Sequence, residues 1–291
     1  MNPEFKKPLI LDGAMGTELM RRGVKLPLPL WSSFANIENY DQIINVHSDY
    51  IKSGCNIITT NTFRSTARTF IKAGYEEKDA ELMCRQSFDM AISAAKQAGD
   101  NKNILIAGSI APLEDCYEPS HFPGKEIAVK EFSVISEMML NSGVDVLLLE
   151  TMGCYDEIES VLKVNEKIKK QIWLSIVLKD KNHILDGTHI KKVIELANKY
   201  VIDMLLINCT PISIIENSLR DIIESWTGKW GAYPNAGISM PTKDGIFTST
   251  LDDNLFGDAI SRFVKLGASL VGSCCGSTPK TIQIINNIIQ K

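Results

Sequence analysis

The chain has 291 residues, 44% of them apolar and 23% charged, and carries a net charge of -4 at neutral pH. That length is enough to bury roughly 75% of the unfolded surface around one core, so one domain spanning residues 1–291 is expected. No dense Lys/Arg block offers an electrostatic footprint for nucleic acid or an anionic membrane. No apolar run is long enough for a secretory leader or approaches the roughly 20 residues of a bilayer span, and the expectation is a cytoplasmic protein acting on small molecules.

Along the chain, eight short apolar, β-rich runs read as strands: 8–13 (PLILDG), 56–63 (NIITTNTF), 104–112 (ILIAGSIAP), 145–152 (DVLLLETM), 171–178 (QIWLSIVL), 203–210 (DMLLINCT), 229–237 (KWGAYPNAG) and 268–276 (ASLVGSCCG). Most are nearly continuous in apolar residues, as strands covered on both faces of a parallel sheet are. Helical spacing appears between them. Ile43, Val46, His47, Tyr50 and Ile51 fall on one helical face, as do Phe132, Ile135 and Met139. After the eighth run Thr278 is placed as an N-cap and Pro279 at the first helical position, with Ile282, Ile285 and Ile289 on one side. Eight strands alternating with helices is the pattern of a single-domain α/β protein, a (βα)8 TIM barrel. The rival is an open doubly wound sheet, disfavoured by the strand count and by the lack of a phosphate-loop glycine fingerprint.

In such a barrel the chemistry sits where the strands end. Those residues are Asp12, Asn61, Ser109, Glu150, Ser175, Asn208 with Cys209, Asn235, and Cys274 with Cys275. The chain has an odd number of cysteines, 7, scattered over its length, which suits reduced thiols serving a metal or acting as nucleophiles better than a disulfide framework. Cys209 ends the sixth run and the Cys274-Cys275 pair ends the eighth, so three thiolates can converge. Three cysteines with an open fourth position suit a catalytic tetrahedral zinc; a regulatory disulfide or an inert buried pair are the alternatives. Cys55, Cys84, Cys116 and Cys154 end no run and read as small apolar residues. His47, His121, His183 and His189 end none either, and read as packing or surface side chains.

The segments ILDGAMGTEL, NTFRST, LLLETM, INCT, YPNAG and GSCCGSTP, in this order over essentially the whole chain, resemble the zinc-dependent homocysteine S-methyltransferase family. The resemblance implies a (βα)8 barrel whose Zn²⁺ is held by Cys209, Cys274 and Cys275. A free thiol has a pKa of about 8.5 and is mostly protonated at neutral pH; with three cysteinate ligands on the metal, a fourth thiolate from homocysteine is held deprotonated yet electron-rich. Glu150 is then the expected partner of the homocysteine ammonium, with help from Asp12, while the amides of Gly13 and Ala14 face its carboxylate. Asn61 and Ser109 are expected to line the pocket. Asn235 is a candidate fourth ligand in the absence of substrate, and Asn208 a group that orients Cys209.

The methyl donor is a separate question. The free-standing barrel and the stretch LWSS (30–33) resemble the S-methylmethionine-dependent branch, whose sulfonium donor carries its own leaving group. Trp31 and Tyr117 are candidate cation–π contacts for it, although Trp31 equally suits a core position, and the loop 113–125 is the expected seat of donor specificity. That loop follows SIAP where the family pattern has Gly-Pro. The alternatives are a methyltransferase subunit served by a corrinoid on a separate partner protein, and a non-catalytic zinc- or redox-sensing barrel.

Overall fold

The computed structural model describes residues 7–100, 102–239, 242 and 249–291. Each of the eight apolar runs contains a strand: β1 Leu9–Ile10, β2 Ile57–Thr59, β3 Leu105–Ile110, β4 Val146–Met152, β5 Gln171–Ile176, β6 Met204–Asn208, β7 Lys229–Tyr233 and β8 Leu270–Val271. Neighbours pair in parallel in the order β1-β8-β7-β6-β5-β4-β3-β2. The ring closes between β1 and β2 through a parallel bridge of Leu11 to Ile57 and the Asp12 N–H, which donates to the Ile57 carbonyl at 3.0 Å. Closure rules out the open doubly wound sheet, and the fold is the expected (βα)8 barrel.

The helices depart from one per strand near the amino end. Helices α1 Met15–Arg21, α2 Ser32–Glu38 and α3 Tyr40–Lys52 stand between β1 and β2, and α4 Ala67–Lys72 and α5 Glu77–Gly99 between β2 and β3. Three of these have only 7, 7 and 6 residues, too short to display two turns of apolar period. From there the alternation is regular: α6 Lys125–Asn141, α7 Tyr155–Asn165, α8 Ile190–Lys199, α9 Ile212–Ser225, α10 Asp253–Lys265 and α11 Pro279–Gln290. The expected faces are buried, with Ile43, Val46, His47 and Tyr50 inward on α3 and Phe132 and Met139 inward on α6. Thr278 caps α11 in a reciprocal box with Thr281, and Ile282, Ile285 and Ile289 turn inward. Among the described residues no helix is long and apolar enough to cross a membrane.

Strand side chains alternate between two cores. On β4, Val146 and Leu148 join an inner cluster while Leu147 and Leu149 join the shell under the helices. The inner cluster, with Leu11, Ile57, Trp173, Leu206 and Leu270, plugs the barrel. Two residues further along, the same inward phase reaches Thr59, Ser109, Glu150, Ser175 and Asn208, and four residues beyond Leu270 it reaches Cys274. The apolar plug is therefore the floor beneath a polar mouth.

Candidate active site

The mouth encloses a cavity of about 210 Å³, lined by Asp12, Glu150, Cys209, Tyr233, Cys274 and Cys275 among others. A wider hollow of about 1120 Å³ at the amino end, around Leu9, Leu105, Val146 and Trp173, is rimmed by surface lysines and holds none of these thiols.

The thiols converge through the backbone. In a regular strand Asn208 faces inward and Cys209 faces the helices, but Cys209 has φ 47°, a left-handed turn that costs a non-glycine residue about 1–2 kcal/mol and swings its side chain into the mouth. Cys274 lies on the inward phase of β8, and the left-handed Gly276, at φ 81°, lets the chain turn so that Cys275 faces the same cavity. The sulfurs of Cys209, Cys274 and Cys275 lie within 4.8 Å of one another. Cys209 and Cys274 stand in disulfide contact, with Cα atoms 5.5 Å apart. Four ligands on a tetrahedral zinc with bonds of about 2.3 Å place sulfurs about 3.8 Å apart, which side-chain rotation reaches from that backbone spacing. Burial pushes the Cys275 thiol up to about 11, so without a cation it stays protonated at neutral pH. The convergence of three sulfurs in one cavity fits a thiophilic metal ion. Three hydrogen bonds fix the loops: Cys274 N–H to the Pro234 carbonyl at 2.7 Å, Ala236 N–H to the Cys275 carbonyl at 3.0 Å and Asn235 N–H to the Thr210 carbonyl at 3.2 Å. Asn235 is thereby held between the two cysteine loops, and neither atom of its buried side-chain amide has a partner, as a fourth donor in reserve requires.

The opposite wall is acidic. Asp12 accepts from the Thr59 N–H at 2.9 Å and the Thr59 hydroxyl at 3.0 Å, yet burial, with Glu150 facing it, pushes its carboxyl up to about 8. Glu150 accepts from the Ser109 hydroxyl. Burial lifts it to about 7, opposed by Ser109 and by the nearby Tyr233 hydroxyl, which lacks the alignment of a proper hydrogen bond. No Lys or Arg among the described residues lies within 4 Å of either carboxylate; the guanidinium lining the cavity, Arg64, faces Asp115 at 4.0 Å. Two buried acids without a cation form a receptor for an ammonium group.

The other expected residues divide by what they touch. The Ala14 N–H is already given to the Ser277 hydroxyl at 2.9 Å, so a ligand carboxylate is left with Gly13, a correction that follows from the Ser277 hydroxyl standing over the turn. A Cβ at Gly13 would meet Ser277 Oγ and Tyr50 at 2.6 Å. Asn61 lines the mouth as expected. Its amide N–H groups reach the Ser32 carbonyl and Asn36 Oδ1, both at 2.8 Å, so it clasps α2 instead of offering those donors to a ligand. Ser109 orients Glu150. Asn208 accepts from Ser175 Oγ at 2.8 Å and the Thr151 N–H at 3.2 Å and donates to Thr151 Oγ1 at 2.8 Å, steadying the turn after Glu150, where Thr151 has φ 62°. Trp31 lines the mouth with its indole laid on Gly16, where a Cβ would collide with it. Tyr117 lines it too, but its buried hydroxyl sits beside Cys275. Thr59, Arg64, Tyr233 and Ser277 were missed; the inward phase of β2 and β7 marks Thr59 and Tyr233, while Arg64 and Ser277 lie in loops with no period to read.

A closed parallel barrel with thiols and unpaired acids gathered at the carboxyl ends of its strands defines a barrel enzyme acting on a small amino compound. The chain belongs to the homocysteine S-methyltransferase family, whose profile matches residues 9–289. It is similar to the homocysteine S-methyltransferase YbgG of Bacillus subtilis, 28% identical over 95% of this chain and 93% of that protein. A selenocysteine methyltransferase of Astragalus bisulcatus is 30% identical over 96% of this chain and 92% of its own length. The crystal structure of the homocysteine methyltransferase MmuM from Escherichia coli, in metallated form, superimposes with a TM-score of 0.81 at 26% identity, covering 97% of this chain and 96% of that one.

Proposed function

We propose that residues 1–291 form one catalytic unit that transfers a methyl group from S-methylmethionine to homocysteine, giving methionine, with zinc held by Cys209, Cys274 and Cys275. The observation that carries this reading is the pairing, across one small cavity, of a three-thiol cluster with two buried carboxylates that no cation among the described residues meets. An amino-acid thiol has the two matching ends.

Zinc, when bound, would supply the charge that keeps the substrate thiol ionised at neutral pH. The residues of the chain then act by position. Glu150 and Asp12 hold the ammonium, Ser109 and Thr59 keep both carboxylates aimed, and the Gly13 N–H faces the substrate carboxylate. The homocysteine sulfur gives its proton to solvent and its lone pair attacks the sulfonium methyl carbon as the old C–S bond breaks, leaving a neutral thioether as the second product. Holding both reactants in line is the main catalytic contribution, and Trp31 at the mouth offers an aromatic face to the sulfonium cation. Ligation requires reduced thiols, which suits the cytoplasm.

The test is methionine formation by zinc-loaded protein given homocysteine and S-methylmethionine, with a chelated control. Zinc-dependent turnover supports the reading. Turnover with a methyl-corrinoid protein alone replaces the donor, and tight zinc binding with no homocysteine binding favours a sensor.

A further inference from the structure

His47 lies on α3 with its side chain 0% exposed, and neither ring nitrogen has a hydrogen-bond partner. Its companions on the buried face, Ile43, Val46 and Tyr50, fill their space without leaving a ring nitrogen unsatisfied, so packing alone gives no reason for an imidazole. The ring is aimed at the amine-binding wall, with Nδ1 3.9 Å from Asp12 Oδ2, about 1 Å beyond a hydrogen bond. The other titratable groups that act on Asp12 or feel its charge are Glu150 across the cavity, Tyr50 on α3, Cys55 before β2 and Tyr233 at the end of β7. All are neutral or negative, and His47 is the one basic side chain within 4 Å among the described residues. Burial depresses the imidazole to about 4, so it stays neutral and carries a single N–H.

We propose that His47 is a positioning residue for substrate binding: when the substrate ammonium draws Asp12 into its ionised form, the His47 Nδ1–H closes onto Asp12 Oδ2 and holds that carboxylate on the amine. Asp12 releases its proton to solvent, and His47 keeps its own. The inference rests on the homocysteine reading above and adds a residue that touches no substrate. It predicts that His47 governs affinity for the amino-acid end while leaving the methyl transfer step alone.

The test uses the zinc-loaded full chain with His47→Leu, which removes the donor, and His47→Asn, whose amide N–H stands near the place of Nδ1–H. Homocysteine KM and kcat are followed from about pH 6 to pH 9, across the ordinary and raised carboxyl ranges, with zinc content measured alongside. Losing a hydrogen bond to a charged group raises KM about tenfold in His47→Leu, with kcat little changed, zinc retained and the fall of KM with pH displaced upward. His47→Asn restores most of the affinity. A Leu variant with ordinary KM and pH profile, or an Asn variant as impaired as Leu, overturns the role. Should the Leu variant not fold, nitrogen NMR of the wild-type imidazole decides: a neutral Nδ1–H tautomer whose proton shifts on homocysteine binding supports the contact, and an Nε2–H tautomer or an unmoved signal removes it. Wild-type protein that makes no methionine from homocysteine overturns the underlying function, and this inference with it, before any variant is compared.

Discussion

Glu150 and Asp12 are both buried, both raised above the ordinary carboxyl range, and neither meets a Lys or Arg within 4 Å among the described residues. Such groups are costly unless a cation arrives. Glu150→Gln keeps the shape of the side chain and removes its charge, so homocysteine KM should rise roughly 10- to 100-fold, the worth of a charge-assisted hydrogen bond. Zinc content, read by atomic absorption, should not change; unchanged KM would take Glu150 out of the site. Cys209→Ser should instead lose the metal, with chelator-resistant zinc falling well below one per chain while the barrel stays folded by circular dichroism. The carboxylates were legible because each ends an apolar run, Glu150 in the inward phase of β4 and Asp12 directly after the inward-facing Leu11. The thiol cluster was only half legible from residues. Spacing brought Cys209 near Cys274 and Cys275, but the left-handed turn that aims Cys209 inward leaves no mark in the sequence, and it was the family resemblance that named these three as ligands.

At the scale of strands, inward alternation divides the barrel into an apolar plug and a polar mouth. Trp173 on β5 is the largest fully buried side chain and fills the plug two residues below Ser175. Trp173→Ala should destabilise the fold by about 3–5 kcal/mol, seen as a lower midpoint in urea with little change in the slope; a loss under about 1 kcal/mol would mean the plug collapses around the gap. Gly272 at the end of β8 is constrained in the opposite sense. A Cβ there would meet Leu11 Cβ at 2.8 Å and Tyr233 Cβ at 3.1 Å, so glycine lets the strand that carries the cysteine pair approach β1. Strands were readable because each is a compact apolar run between polar segments. Helices α1, α2 and α4 were not, being too short for their period to emerge, and so α2, which Asn61 clasps, went unseen.

Across the whole molecule, the raised carboxyls couple folding to pH. Asp12 moves from 3.8 to about 8, and Glu150 and Glu157 from 4.5 to about 7, each chiefly through burial. Between the unfolded and folded values the native state binds more protons than the unfolded chain, so stability falls as pH rises. Their contribution is complete below about pH 4 and is lost as the solution passes about pH 7 to 8. Protein without metal or substrate should therefore show a urea midpoint that declines from about pH 5 to pH 9, with Glu150→Gln flattening the lower part of that decline. Glu157 contributes through structure alone, its carboxylate accepting from the Leu113 N–H at 2.8 Å. An ammonium ligand reverses the linkage for the two mouth carboxylates, because it favours their ionised forms. Homocysteine should thus raise the midpoint more at about pH 8 than at about pH 6, with proton release on binding measurable by calorimetry in buffers of different ionisation enthalpy. Stabilisation that is equal at both pH values, with no proton released, would mean that the amine is held elsewhere and that Asp12 and Glu150 are buried acids of the scaffold.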